Sequence, residues 1–167
     1  MKAIHVDAIE PTRIGETLWK PVRSLLGVVA FGINAYSADE AGAALFDEHD
    51  ETEGGAGTQR HQELYIVLSG RATFTGAEGE VDAPPGTIVF CEDPAERRGA
   101  RAEEAGTTVI AIGGPVGEPY EVATWEFWFR VRRARELGDP AEAKAILDQG
   151  LARYPDDPTL RRLASEA

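Results

Sequence analysis

The stretch QELYIVLSG, Gln62 to Gly70, decides how this chain is read. Its residues alternate so that Glu63, Tyr65 and Val67 share one face and Leu64, Ile66 and Leu68 the other, the period of a β-strand. Downstream, Arg71 to Thr75 forms a second short apolar run. It is followed by the turn GAEGE (Gly76 to Glu80) and then Val81, which together signal a hairpin. After Ala83-Pro84-Pro85-Gly86 come Thr87 to Cys91 and, past a polar loop, Thr107 to Ile112. Upstream, Leu26 to Tyr36 (LGVVAFGINAY) is rich in branched and aromatic residues and carries internal glycine, as expected of a bent barrel strand. Short strands at close spacing, with no helical run before residue 121, predict an all-β sandwich or barrel.

The period changes after Tyr120. Phe127, Val131 and Ala134 are spaced as one helix face, predicting a helix from about Ala123 to Glu136 that ends at Gly138. Asp139 then serves as a cap, Pro140 suits the first helical position, and Glu142 completes a capping-box spacing. Ala143, Leu147, Gly150 and Tyr154 mark the second helix, and Asp157-Pro158 starts a third that runs through Leu163. The connector GGPVGEPYE places a boundary near Gly117 to Tyr120, giving a β-barrel over 1–118 and a helical tail over 119–167.

Composition removes several classes. The 167 residues carry a net charge of −12, and the field of such a chain repels nucleic acid and anionic membrane alike, so neither is an expected partner. Residues 1–118 hold 20 acidic and nine basic side chains, whereas 119–167 hold nine and eight, so the charge belongs to the barrel. A single Cys91 allows no internal disulfide. The N-terminus shows no apolar leader, and the longest apolar run, Leu25 to Ile33, is too short to span a bilayer, so a cytoplasmic protein is expected.

Two resemblances follow from these motifs. Glu63, six residues and Gly70 are similar to the close of the first cupin motif, and Pro84-Pro85-Gly86 before TIVF resembles the opening of the second. Gly138-Asp139, Ala143, Leu147, Gly150 and Pro155 resemble the second helix of a tetratricopeptide repeat, and the tail matches about one and a half repeats. The implied fold is mainly β: a double-stranded β-helix, or jelly-roll, barrel followed by an α-helical hairpin and one further helix.

The cupin resemblance implies a metal held by a His-x-His pair, the motif Glu and a third His. Here the pair positions fall on Gly57 and Gln59, no histidine follows His61, and Val89, Arg97 or Arg98 takes the third place, so the usual three-His site is broken. An altered set of His49, His61 and Glu63 would suit Fe, Mn or Zn. Without a metal, a buried Glu63 is expected to carry a proton or pair with an arginine. Glu63, Tyr65, Arg71, Arg97 and Arg98 are therefore the candidate ligand-binding residues of the barrel interior, where the Arg97-Arg98 pair could hold an anion. The acidic run Asp47, Glu48, Asp50, Glu51 and Glu53 reads as a solvated strand end, and Cys91 as a small core residue. Trp125, Phe127, Trp128 and Phe129 exceed one helix face, which predicts packing on the barrel or on a second subunit and hence a homodimer.

Three functions remain open. The first is a small-molecule-binding or scaffold protein without the usual metal. The second is a metal-dependent oxygenase or isomerase using His49, His61 and Glu63, and the third is a protein-interaction module working through the helical tail. Whether the chain is an enzyme stays open at this point.

Overall fold

The structure is a computed structural model that describes residues 1–52 and 59–166. It divides into two compact units, one formed by Met1–Thr52 and Gln59–Tyr120 and one beginning at Glu121. The first contains ten strands: β1 (Thr12–Ile14), β2 (Thr17–Lys20), β3 (Gly32–Ala38), β4 (Ala44–His49), β5 (His61–Ser69), β6 (Ala72–Gly76), β7 (Gly79–Ala83), β8 (Ile88–Cys91), β9 (Arg98–Ala102) and β10 (Thr107–Pro115). They make a six-stranded sheet ordered β1-β2-β3-β10-β5-β8 and a four-stranded sheet ordered β4-β9-β6-β7, with antiparallel pairing throughout.

The space between the sheets is filled by the inward face of each strand. Leu45, Phe46, Tyr65, Val67, Phe74, Val109 and several alanines form one buried cluster. At its centre Phe46 stacks on Tyr65 at 4.9 Å between ring centroids, and Phe74 tilts against Tyr65 at 5.4 Å. Burial of each such ring contributes on the order of 2–3 kcal/mol. Register then sets the polar end of this interior. Glu63 lies opposite Gly113 on β10 and Cys91 on β8, and a Cβ at Gly113 would stand 3.2 Å from Glu63 Cγ. Glycine at that position leaves the room in which the carboxylate lies.

Two expectations change. Leu26 to Tyr36 is not one strand: β3 starts at Gly32, and residues Val22–Leu26 form a short helix, α1. Gly27, with φ of +73°, ends α1, while Val22 packs with Ile9 and Ala35 on the outer face of the larger sheet. Covering that face is worth more than extending the strand. The second change is β9, which the sequence reads as polar loop. Arg98, Ala100 and Ala102 alternate inward and Arg101 outward, and small residues let β9 fit between β4 and β6.

The second unit contains α2 (Thr124–Glu136), α3 (Pro140–Arg153) and α4 (Pro158–Ser165). Gly138 adopts φ of +74° after α2, and Asp139 Oδ1 accepts the Glu142 N–H at 2.9 Å. Asp157 Oδ1 caps α4 in the same way through the Leu160 N–H. Phe127, Val131, Ala143, Ile146, Leu147, Leu160 and Leu163 form this unit's own core. Of the four clustered aromatics, Phe127 belongs to that core and Trp128 packs against it, while Trp125 and Trp128 each meet Phe129 edge-on. Two of the four thus need neither barrel nor second subunit. Among the described residues no helix is long and apolar enough to cross a membrane.

Candidate ligand site in the barrel

Alternation along β5 turns Glu63 and Tyr65 to the interior, and alternation along β9 does the same for Arg98. The two strands belong to opposite sheets, so the side chains meet across the barrel. Arg98 Nε donates to Glu63 Oε2 at 3.1 Å and to the Tyr65 hydroxyl at 3.3 Å, and its Nη2 donates to the same Glu63 oxygen. Its Nη1 donates to the backbone carbonyls of Glu96 at 3.0 Å and Pro94 at 3.3 Å. The Tyr65 hydroxyl also donates to Glu63 Oε2. Arg98 is 4% exposed, so this is a buried ion pair with its donors matched on several sides.

Three further side chains complete the cluster. His49, at the end of β4 and opposite Arg98, donates its Nδ1–H to the Asp47 carbonyl at 2.8 Å. Its Nε2 then faces Glu51 Oε1 and Glu63 Oε2, each at 3.7 Å. Glu51 Oε1 lies 3.6 Å from Arg98 Nη2, and Glu51 Oε2 lies 3.4 Å from His61 Nδ1. His61 Nε2 is buried with no hydrogen-bond partner among the described residues, and its ring tilts against Tyr120.

These contacts separate two carboxylates chemically. Burial pushes Glu63 up, but the neighbouring His49 imidazole, the Arg98 charge and the hydrogen bonds from Tyr65 and Arg98 outweigh it and hold the group at about 2. Glu51 is raised to about 7 by burial and by the negative charge of Glu63, against weaker opposition from Arg98 and His49. His49 is raised overall: burial works against its charge, but Glu63 and the Asp47 carbonyl favour it. His61 is lowered by burial, and the Tyr65 phenol is pushed up by burial and by Glu63. One firmly ionised carboxylate therefore sits beside one that holds its proton near neutrality.

The expected residues are only partly brought together. Glu63, Tyr65, Arg98, His49 and His61 share this cluster. Arg71 instead lies at the surface, where its guanidinium pairs with Asp82, and Arg97 points out to Glu48 at 2.7 Å. Each lies one residue ahead of a strand, Arg71 before β6 and Arg97 before β9, with its guanidinium on surface carboxylates, so neither belongs to the interior set. Glu51, expected in a solvated strand end, lies instead inside the cluster. The only sequence signal is a repeated spacing, His49-x-Glu51 and His61-x-Glu63. Of the two positions expected for a His-x-His pair, Gly57 lies outside the described residues, as does Glu53, and Gln59 donates to the Pro119 carbonyl. Cys91 is buried in the core as expected, and burial raises its thiol.

A cavity of about 520 Å³ opens between the edge strands β7 and β8 and reaches this cluster. Tyr65, Phe74, Val81, Val89, Cys91 and Arg98 line its inner part, and Glu78, Glu80, Glu92 and Glu96 its rim. The helical unit has a cleft of its own of about 650 Å³ between Trp125, Trp128, Tyr154 and Pro158. The charged groups there already have structural partners: Asp157 caps α4, Asp156 pairs with Arg161 and Arg153 with Glu121. The barrel cavity adjoins a buried set of groups with strongly shifted acidities, which favours it as the functional site.

Solved structures agree with this architecture. The chain is similar to a sugar phosphate isomerase of the cupin superfamily from Silicibacter pomeroyi, at 17% identity and a TM-score of 0.55, over 69% of this chain and 76% of that one. It is similar to a predicted oxalate decarboxylase from Thermotoga maritima, at 15% identity and a TM-score of 0.54, over 69% of this chain and all of that one. KdgF from a Halomonas species aligns at 17% identity and a TM-score of 0.53, over 65% of this chain and 90% of that one. The β unit has the cupin fold. Residues 124–167 match the tetratricopeptide repeat family, so the expected barrel class and the repeat-like tail are both found. No curated protein matches the chain by sequence.

That fold brings a metal into question. His49, Glu51 and Glu63 each offer a donor atom, all within 4.8 Å of one another, and the Nδ1–H bond to Asp47 orients His49 as a ligand would need. His61, expected as a ligand, falls outside this set and contacts Glu51 instead. Arg98 Nη2, however, approaches Glu63 Oε2 and Glu51 Oε1, the same two oxygens that His49 Nε2 faces. With the guanidinium in place, these residues do not fit a divalent cation.

Proposed function

We propose that the chain is a metal-independent, small-molecule-binding cupin-fold protein whose binding space is the cavity between β7 and β8. The observation that supports this most is the junction of that cavity with the Glu63–Tyr65–Arg98 network, since Tyr65 and Arg98 line both. Apolar walls from Phe74, Val81 and Val89 suit a small apolar or aromatic body, and the Tyr65 and Arg98 end supplies polar contacts that orient it. The charge of Arg98 is already matched by Glu63, and the rim carries four carboxylates, so a neutral or cationic ligand is favoured over an anionic one.

The test is a thermal-shift and NMR screen of small metabolites against the wild type and Val89→Trp, which fills the cavity. Neutral or cationic ligands that perturb Tyr65 and lose at least about tenfold in affinity with Val89→Trp support the reading, a change of about 1.4 kcal/mol. Ligands that bind both proteins equally, or that are uniformly anionic, contradict it. The metal-dependent oxygenase or isomerase draws on the His49–Glu51–Glu63 grouping and requires Arg98 to leave it.

A further inference from the structure

We propose that Arg98 is the resident cation of this barrel: its guanidinium stands at the oxygens of Glu51 and Glu63 that would otherwise join His49 around a divalent metal, and it keeps that latent donor set closed.

The argument rests on shared atoms. Glu63 Oε2 receives Arg98 Nε, Arg98 Nη2 and the Tyr65 hydroxyl, and it also lies 3.7 Å from His49 Nε2. Glu51 Oε1 lies 3.6 Å from Arg98 Nη2 and 3.7 Å from His49 Nε2. A dication bonded to these two oxygens and to His49 would sit directly against a buried positive charge, at a separation where repulsion is strong in a low-dielectric interior. Moving Arg98 aside also costs hydrogen bonds, because Nη1 is tied to the Pro94 and Glu96 carbonyls; the Pro94 oxygen keeps the Glu51 N–H at 2.8 Å, but both lose the arginine as donor. Backbone carbonyls cannot turn away as side chains can. The arginine is therefore held by main chain on one side and by carboxylate on the other.

The donors behind it are nevertheless arranged as ligands. His49 has its Nδ1–H fixed by a carbonyl and its Nε2 free to face the two carboxylates, and both carboxylates are largely withdrawn from solvent. Removing the guanidinium leaves one imidazole and two carboxylates in one small space, a nitrogen-and-oxygen set that suits Zn²⁺ or Mn²⁺. The inference does not depend on which small molecule the cavity accepts.

Elemental analysis and calorimetric titration with Zn²⁺ and Mn²⁺ test it on the full chain purified without chelator. Wild-type protein is expected to retain less than about 0.1 metal per chain, with no Tm change on adding either ion or EDTA. Arg98→Ala is expected to take up about one Zn²⁺ per chain and gain several degrees in Tm on binding, and Arg98→Lys, which keeps the charge, takes up none. Adding Glu63→Gln to Arg98→Ala abolishes the uptake. Should Arg98→Ala fail to fold, Arg98→Met retains the aliphatic stem and replaces it. Stoichiometric metal in the wild type overturns the proposal, and so does a folded Arg98→Ala or Arg98→Met protein that binds no metal. A ligand found in the screen above, together with metal-replete wild type, would sink this inference and the metal independence of the proposed function while leaving small-molecule binding in the cavity standing.

Discussion

Glu51 and Glu63 share one guanidinium unequally: Arg98 Nη2 bonds directly to Glu63 and stands 3.6 Å from Glu51. That asymmetry adds to other causes in separating the two carboxyl groups: burial and the Glu63 charge raise Glu51 to about 7, while His49, Arg98 and Tyr65 overcome burial and hold Glu63 at about 2, from a common ordinary value of 4.5.

Stability is expected to peak near pH 4 to 5. The Glu63 interaction is fully present above 4.5 and is lost as pH falls toward about 2, whereas the stability that protonated Glu51 contributes is present below 4.5 and is lost as pH rises through about 7. His49, raised as well, loses its contribution in the same direction as Glu51. Two and a half pH units for Glu51 correspond to about 3 kcal/mol. Urea unfolding between pH 4 and 8 reads this decline directly. Glu51→Gln should flatten the alkaline side, and a wild type equally stable at pH 5 and pH 8 would refute the assignment.

Removing one partner of the buried pair should cost more than removing both. Glu63→Gln leaves the 4%-exposed Arg98 without a compensating charge and is expected to lose about 3–5 kcal/mol, while Glu63→Leu with Arg98→Leu recovers most of it. Chemical denaturation of Glu63→Gln and of the double variant, each against the wild type, measures the difference. A double variant no more stable than Glu63→Gln would show that the network does more than balance charge.

Gly70→Ala should be among the more damaging small substitutions in the barrel. Gly70 has φ of +68°, and a Cβ there would come within 2.6 Å of Thr107 Cα. Thr107 cannot give way easily, since its hydroxyl accepts the Arg71 N–H at 3.1 Å. Left-handed strain and overlap together predict a loss of more than about 2 kcal/mol by thermal or urea unfolding. Gly106→Ala, at a comparable φ of +77° with open space around it, separates the two effects.

In the helical unit, Leu160→Ala should destabilise by about 2–5 kcal/mol, because Leu160 is fully buried between α2 and α3 against Phe127 and Gly150. Asp157→Ala removes only the cap of α4 and should cost about 1 kcal/mol. Hydrogen exchange resolved to residues 124–166 separates these losses from barrel unfolding. Equal effects from the two substitutions would argue that α4 is held by its cap rather than its core.

The helices were legible in advance because their signals are local. Gly138, Asp139-Pro140 and Asp157-Pro158 act within a turn or two of themselves, and the observed ends of α2, α3 and α4 fall within about two residues of the expected ones. The β5 alternation was legible for the same reason. β9 was not, because RGARA has neither branched nor aromatic residues, and its strand character comes from β4 and β6 on either side.

The amino-acid sequence by itself determined the barrel class, the helical tail and the absence of histidine beyond His61, since periodicity, caps and composition are properties of neighbouring residues. It also placed Glu63 on an inward face and required that a buried carboxylate there find a partner. Which partner was a matter for tertiary structure alone. Arg71, Arg97 and Arg98 look alike along the chain, but only Arg98 sits at the strand register that crosses the barrel to Glu63. Glu51 was hidden for the same reason: its burial depends on two strands from opposite sheets closing over it, a relationship over distances along the chain that no local pattern encodes.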